Sequence, residues 1–423
     1  MLTREENERL TRVGKGTPAG ELFRRYWLPV CLASELPAKD GTPLRVRILS
    51  EDLIAFRDSE GKVGLIDAYC PHRRAPLFFG RNEECGLRCV YHGWKFDRHG
   101  DCVDMPSEPA GTTLQAKVKI LSYPTAESGS VIWAYMGPKE FMPAEPDYEW
   151  IRVPASQRHV SKTLESCNYL QALEGGLDTA HSSFAHNNRL GDNSGLRQRD
   201  RAPKIDVERT DYGYYYVSSR NAGADGTYVR VYQYVMPTQQ IRAWNVMWNG
   251  SHAPVPQTHG HIWVPVDDTT TLIYNLCYAR EPSMPITPEV VEEHEREFGR
   301  GHDDFIAGTF RLKRNKSNDY LIDRQMQKTQ NFTGIVGVNT QDFALQEGME
   351  PICDRSKEFL GTTDKAIVAM RRLMLEAIDT VEKGGQPRGA DPESYRTVRA
   401  ADGFVASGQD WRNVLGGDLV AKW

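Results

Sequence analysis

The 423-residue sequence predicts an α+β chain: a small all-β domain within residues 1–150, then a larger domain over 151–423. In the larger domain an antiparallel sheet lies in the middle of the sequence with helices packed against it. Three observations predict this. Short β-type runs separated by Gly- and Asp-containing turns crowd residues 45–66, and five longer runs follow between 212 and 278. Residues 363–383 then carry an apolar face at helical spacing.

The first strands are Arg45-Val-Arg-Ile-Leu49 and Leu53-Ile-Ala-Phe-Arg57, and the turn Asp58-Ser-Glu-Gly61 leads into Val63-Gly-Leu-Ile66 as a hairpin. That last run leads directly to Cys70, so the β domain is expected to present its Cys- and His-bearing loops at one tip. Val131–Met136 reads as a returning strand, and Pro138–Pro146, with three prolines, as a linker. Beyond it Ser166–His186 is helix-like and Asn187–Arg201 a polar, mobile loop. The sheet strands are expected at Tyr212–Arg220, Thr227–Met236, Gln240–Trp248, His261–Val266 and Thr270–Tyr278. Helices return at Pro288–Arg300 and Thr363–Lys383, the second burying Ile367, Met370, Leu373, Met374, Ile378 and Val381.

Composition excludes several classes. Hydrophobic residues at 39% and charged residues at 26% suit a soluble enzyme, and a net charge of −5 gives no basis for a nucleic-acid partner. The opening Met1-Leu-Thr-Arg-Glu-Glu6 lacks the apolar run of a signal peptide, and no stretch is long enough to span a membrane. Eight cysteines in so long a chain do not form a disulfide scaffold. Cys31, Cys85, Cys102, Cys167, Cys277 and Cys353 are expected as reduced thiols, and the cytoplasm as the compartment.

Cys70-Pro-His72 and, sixteen residues on, Cys89-Val-Tyr-His92 deliver two thiolates and two imidazoles from two short loops. A [2Fe–2S] cluster in which two His replace two Cys on one iron needs that donor set. Cys70 and Cys89 would hold one iron, His72 and His92 the other. Tetrahedral zinc accepts the same donors, but its pairs usually run Cys-Cys then His-His, whereas here each loop gives one of each.

The larger domain carries Glu174-Gly-Gly-Leu-Asp178-Thr-Ala-His181-Ser-Ser-Phe-Ala-His186. On a helix Glu174, Asp178 and His181 would share a face, while His186 would turn away unless the helix ends or bulges near Ser182-Ser183. Two His and a carboxylate form the facial triad of mononuclear Fe(II). By itself the motif also reads as a helix end with two solvated histidines. A one-electron carrier earlier in the chain favours the iron site, because it implies a consumer of electrons. Spacing leaves the third ligand open among Asp303, Asp304, Asp319, Asp323 and Asp342.

With both motifs in hand, the chain resembles the α subunits of Rieske non-haem iron oxygenases, and within them the phthalate dioxygenase branch. The resemblance rests on both metal motifs, the continuation Tyr91-His-Gly-Trp-Lys-Phe-Asp97, and the opening Met1–Asn7. Cys70-Pro-His-Arg-Arg74, Asp104-Met-Pro-Ser-Glu-Pro109, Asp323-Arg-Gln-Met-Gln-Lys328 and Asn339-Thr-Gln-Asp342 also carry it. It implies a Rieske [2Fe–2S] domain with its core at about 45–115, a helix-grip catalytic domain, and Asp342 as third iron ligand beside His181 and His186. It further implies subunits packed head to tail in a homotrimer or stacked trimers (a hexamer), one chain's cluster abutting its neighbour's iron. Asp178 matches the carboxylate that bridges the two centres, and Asn168 and Glu174 are further candidates at the catalytic site. High-potential Rieske proteins carry extra loop cysteines that form a disulfide. Here Arg73 and Arg74 follow His72, so a potential near −150 mV, about the low end of the range, is expected.

The sequence has no dinucleotide fingerprint and no plant-ferredoxin cysteine array, so NAD(P)H and flavin chemistry is expected on a separate flavin/iron–sulfur reductase. The resemblance implies cis-dihydroxylation of an aryl carboxylate (phthalate- or isophthalate-like) with O2. Alternatives are an O-demethylating or sulfobenzoate-type oxygenase and, in another class, a Rieske electron-transfer protein. An aryl carboxylate calls for an arginine fork. Candidates are Arg230 first, then Arg209 and Arg242, with Arg201 and Arg220 also on or beside the pocket strands. Tyr228, Tyr232 and Tyr234 are expected to line the pocket or to pack in the core.

Overall fold

Three small antiparallel sheets build the unit Val13–Glu145 of the computed structural model, which describes residues 1–423. Leu44–Ile48, Glu51–Arg57 and Val63–Asp67 form one sheet in sequence order. Its first turn needs only Leu49 and Ser50, both at positive φ (48° and 66°), the twist that matches two right-twisted strands. Its second turn is the expected one, closed by Asp58 Oδ1, which accepts from the Glu60 and Lys62 amides at 3.0 and 2.8 Å. A second sheet pairs Trp27–Leu32, Val131–Tyr135 and Thr125–Ser128, and a third runs Arg81–Glu83, Gly86–Arg88, Lys95–Phe96, Cys102–Asp104. Ile54, Phe56, Ile66, Leu77, Leu87, Trp94 and Phe96 pack into one core that also buries Cys70 and Cys89.

The opening residues depart from the expected division at residue 150. Met1–Arg12 belongs with the larger unit, Pro146–Trp423. Its helix Arg4–Thr11 buries Leu10 completely and is held by Arg9 Nη2 to Asp379 Oδ1 and Glu382 Oε2 at 2.7 and 2.8 Å. Asn7 Nδ2 adds a bond to the Cys353 carbonyl at 3.1 Å. These long-range partners lie hundreds of residues away, so no local pattern announces them.

The larger unit is organised by one antiparallel sheet of eight strands. Its order is Arg158–Glu165, Thr270–Ala279, His252–Asp267, Gln239–Val246, Thr227–Val235, Gly213–Asn221, Lys204–Arg209. The eighth strand, Ala401–Val405, pairs with Thr227–Val231, while Gln233–Val235 of the same strand pairs with Gln239–Ile241. Four of the five expected strands match within two residues. The fifth, His252–Asp267, extends nine residues further towards the N-terminus than expected, through Pro254 and Pro256, which a strand tolerates where the ladder does not need their N–H.

Helix Lys365–Glu382 buries all six expected apolar residues, and Pro288–Glu297 occupies the other expected helical stretch. The helix expected over 166–186 is shorter: it runs Tyr169–Leu177, and a separate 3₁₀ turn covers His181–Ser183. Gly175 and Gly176, poor helix formers, sit in its last turn. Close packing fixes at least one of them, since a Cβ on Gly176 would lie 2.2 Å from the ring of Trp263. No helix is long and apolar enough to cross a membrane.

Candidate metal centres and active site

Cys70 and Cys89 open two loops of the same construction. In the first, the Cys70 N–H donates to Ala75 O (2.9 Å) and the Arg74 N–H to Cys70 O (2.8 Å). In the second, the Cys89 N–H donates to Trp94 O (2.8 Å) and the Gly93 N–H to Cys89 O (2.9 Å). The fourth residue after each cysteine takes positive φ, Arg74 at 57° and Gly93 at 78°. Both sulfurs are thereby buried while the imidazoles stay half-buried at the tip. The rings of His72 and His92 meet at 4.4 Å, and His72 stacks on Trp94 at 4.4 Å.

This donor set fits an iron–sulfur cluster. His72 Nδ1 is buried and bonds to nothing in the protein, as a nitrogen reserved for a metal would. Burial pushes the Cys70 thiol up to about 11, with Cys89 close by adding to the shift. Only a strong local cation would make a thiolate of Cys70 at neutral pH.

In the larger unit the three groups expected at the mononuclear site come together from two elements. His181 opens the 3₁₀ turn and His186 lies three residues beyond its end, and Asp342 sits within the helix Val338–Gln346. Their ligand atoms all lie within 4.8 Å of one another. His181 Nε2 and His186 Nε2 are 3.1 Å apart, and Asp342 Oδ1 is 3.5 and 3.2 Å from them. Donors bound at ~2.1 Å to neighbouring positions of one metal stand about 3.0–3.4 Å apart, so the spacing suits one ion. Close approach of two loops makes room for the helix carrying Asp342: a Cβ on Gly337 would lie 2.8 Å from the Cα of Gly299, and both take positive φ. Burial opposes charge on His181, but the carboxylates of Asp178 and Asp342 overcome it and raise its pKa to about 10. Burial likewise opposes ionisation of Asp342, yet His186 and His181 hold its carboxyl below the ordinary range.

A cavity of about 140 Å³ opens beside this triad. Trp244, Trp248, Trp263 and Phe298 contribute flat apolar walls, and Arg197, Arg230 and Arg242 reach into the same space. Arg230 donates from Nε to Ala243 O at 3.0 Å, and Arg242 to Gln240 Oε1 at 3.1 Å, with His261 Nε2 at 3.0 Å. Arg197 lies over the Trp248 ring. None of the three pairs with a carboxylate. Burial, then the charge of Arg230, pushes Arg242 down to about 10. Glu297 also lines the cavity, its carboxyl pushed up chiefly by burial.

The Rieske [2Fe-2S] domain profile matches residues 26–124, and the profile described as LigXa C-terminal domain like matches 134–420. The chain is 38% identical over 428 aligned residues to the phthalate 4,5-dioxygenase oxygenase subunit of Pseudomonas putida, covering 98% of this chain and 94% of that protein. The chain belongs to the Rieske non-haem iron oxygenases. It is an oxygenase α subunit of the phthalate dioxygenase-like branch, and the family's cofactors are a Rieske [2Fe–2S] cluster and a mononuclear iron. The 3-chlorobenzoate-3,4-dioxygenase oxygenase subunit of Comamonas testosteroni is 35% identical over 97% of each chain. The 5,5'-dehydrodivanillate O-demethylase oxygenase subunit of Sphingobium sp. is 32% identical over 94% of this chain and 86% of that protein. Among solved structures, NdmA of Pseudomonas putida CBB5 matches the fold with a TM-score of 0.62 at 18% identity, covering 93% of this chain and all of that one.

Several residues expected at the active site of this oxygenase serve elsewhere. Asn168 caps the helix Tyr169–Leu177, its Oδ1 accepting from the Leu170 amide, and donates from Nδ2 to Thr11 O (2.9 Å) and Asp268 O (2.7 Å). Glu174 faces Arg355 and Arg371 instead of the metal donors, with contacts of 2.6–3.0 Å. It does not share a face with His181 because the helix ends between them. Arg209 lies on the surface in a two-point pair with Glu376 at 2.8 Å, away from the cavity. Arg201 is exposed too. Arg220 clamps the histidine loop from below, donating to Thr179 O (2.8 Å) and Ser183 Oγ (3.1 Å). Asp323 caps the helix Arg324–Thr329. Of the tyrosines, Tyr232 lines the cavity, while Tyr228 bonds Asp402 and Tyr234 bonds the Pro237 carbonyl.

Sequence reasoning missed Arg197, Asn188, Gln341 and the tryptophan walls. Arg197 and Asn188 fall in the polar stretch read as a loop, which carries the short helix Leu196–Arg199. No spacing signal marks them. Gln341 stands beside Asp342 in Asn339-Thr-Gln-Asp342, and a neutral amide carries no metal-ligand signal of its own.

Proposed function

We propose that the chain is the terminal oxygenase component of an aromatic-ring dioxygenase that cis-dihydroxylates a phthalate- or isophthalate-like aryl carboxylate with O2. Its electrons come from NAD(P)H through a separate flavin and iron–sulfur reductase, and it works in the cytoplasm. One observation carries the substrate class: three guanidinium groups without a carboxylate partner share an aromatic-walled cavity with the metal triad. Buried cations in that state favour an anion, and a guanidinium fork matches a carboxylate. The names of two relatives, a phthalate and a chlorobenzoate dioxygenase, agree.

When bound, the cluster supplies electrons singly and the mononuclear iron activates dioxygen. The chain's own groups do the rest. Arg230 and Arg242 anchor the carboxylate, with Arg197 alongside, and so fix which ring edge faces the triad. The tryptophan walls stack the ring and exclude water. His181, His186 and Asp342 hold the iron, and Asp178 orients His181 through a 3.3 Å contact at Nδ1.

Assayed with reductase, Arg242→Leu should raise KM for the aryl carboxylate about 10- to 100-fold, since a charge-assisted hydrogen bond is worth ~1.5–3 kcal/mol. The amide analogue of the same substrate should lose no more in the variant than in the parent. Equal losses for both would refute the carboxylate anchor. Product analysis separates the alternative: formaldehyde from a methoxybenzoate, with no diol from any phthalate isomer, would assign O-demethylation instead.

Head-to-tail assembly as a trimer or stacked trimers is part of this proposal. Two exposed surfaces support it: Val90 and Tyr91 beside the cluster histidines, and Phe184 with Phe332, in T-shaped contact at 5.8 Å, beside the iron histidines. Light scattering on the holoprotein should give a mass of three or six chains. A monomer at micromolar concentration would rule the arrangement out.

A further inference from the structure

His186, the second histidine of the triad, turns its outer nitrogen Nδ1 to Gln341 Oε1 at 2.8 Å. Neighbouring atoms fix which way round that amide lies. The other terminal atom of Gln341 is 2.9 Å from the Ile335 backbone carbonyl, which has no hydrogen to give, so that end is the NH2 group. The end facing His186 is therefore an oxygen, which only accepts, and His186 Nδ1 carries the ring proton. Its lone pair then sits on Nε2, the atom 3.2 Å from Asp342 Oδ1. The same NH2 group donates to Asn188 Oδ1 at 2.8 Å, and Asn188 is an exposed residue of the cavity lining. Gln341 itself is fully buried.

The two iron histidines are thus held by different chemistry. His181 is backed by the anion Asp178 and His186 by a neutral amide, which adds no third carboxylate to a site already containing Asp178 and Asp342. We propose that Gln341 is the positioning residue of His186, fixing the tautomer that aims Nε2 at the metal and tying that ring, through Asn188, to the rim of the substrate cavity. The inference rests on His181, His186 and Asp342 being the iron ligands.

The test uses the full-length protein with its [2Fe–2S] cluster intact, the mononuclear iron removed by chelation and replaced by titrated Co(II). Visible d–d absorption gives the Kd and reports ligand geometry. Gln341→Leu should weaken Co(II) binding about 10- to 100-fold, the usual effect of losing an outer-shell partner. Gln341→Glu, buried against the Ile335 carbonyl, keeps both contacts as a neutral carboxylic acid, its O–H donating to that carbonyl and its C=O accepting from Nδ1–H, and should stay within about threefold of the parent. Asn188→Ala, at the exposed rim, should keep the Kd but lose the change in d–d spectrum that added phthalate produces in the parent. A leucine variant that binds as tightly as the parent, a glutamate variant more than about tenfold weaker, or a parental spectral response in Asn188→Ala would each overturn the proposal. His186→Ala is the control. If it leaves Co(II) affinity unchanged, the ligand assignment has failed; if it abolishes binding while the Gln341 variants are parental, only the positioning role has.

Discussion

Replacing Asp342 by alanine should cut the iron content from about three per chain to about two, leave the cluster's visible spectrum unchanged, and lower turnover about a thousandfold or more, equivalent to some 4 kcal/mol of barrier. Asp342 is the anionic member of the triad, and its Oδ1 sits between the two imidazoles at 3.5 and 3.2 Å. Without it, two neutral nitrogens must hold the ion alone, and one of them, His181, is drawn towards protonation by Asp178. Asp342→Asn removes the same charge with almost no change in volume and should behave alike, which separates ligation from packing. Elemental analysis with the visible spectrum reads the outcome. Three irons retained in both variants would show that the ion is held by other residues.

Asp178→Asn should do the opposite: keep all three irons and lose the coupling between them. Asp178 ends the helix Tyr169–Leu177 as its C-cap. Its Oδ1 accepts from the Ala180 amide at 2.7 Å, and Oδ2 lies 3.3 Å from both the amide and Nδ1 of His181. Asparagine can keep the turn but not the charge that steadies the ring. Mixed rapidly with oxygen and substrate, the pre-reduced variant should reoxidise its cluster about 100-fold more slowly than the parent, the upper range for loss of such an outer partner. An unchanged rate would remove Asp178 from the electron path.

Both metal motifs were readable because ligation demands particular atoms at short intervals: a thiol and an imidazole two or three residues apart already define a loop. Asp342 was not readable that way, since 155 residues separate it from His186 in a contact set by tertiary packing. Asp342, Asp323 and Asp304 look alike in sequence, and resemblance alone chose between them. Asn168 and Glu174 were misplaced for a related reason. They precede His181 by thirteen and seven residues, but a nine-residue helix turned one to Thr11 and Asp268 and the other to two buried arginines. Arg209 and Arg242 lie on strands of the same sheet, yet one is exposed and the other reaches the cavity. Alternation shows which residues share a face, but not what covers it.

The pairing of Ala401–Val405 with the strand Thr227–Val235 has a consequence for how the polypeptide is made. Val13–Glu145 is one uninterrupted stretch and can fold and take up its cluster soon after it leaves the ribosome. The sheet around the oxygen-activating site cannot close until synthesis has passed residue 405, and the segment before Val13 must wait for residues 353–382. Nascent chains halted near residue 390 should therefore carry a finished electron-transfer module on an unfinished, protease-sensitive remainder.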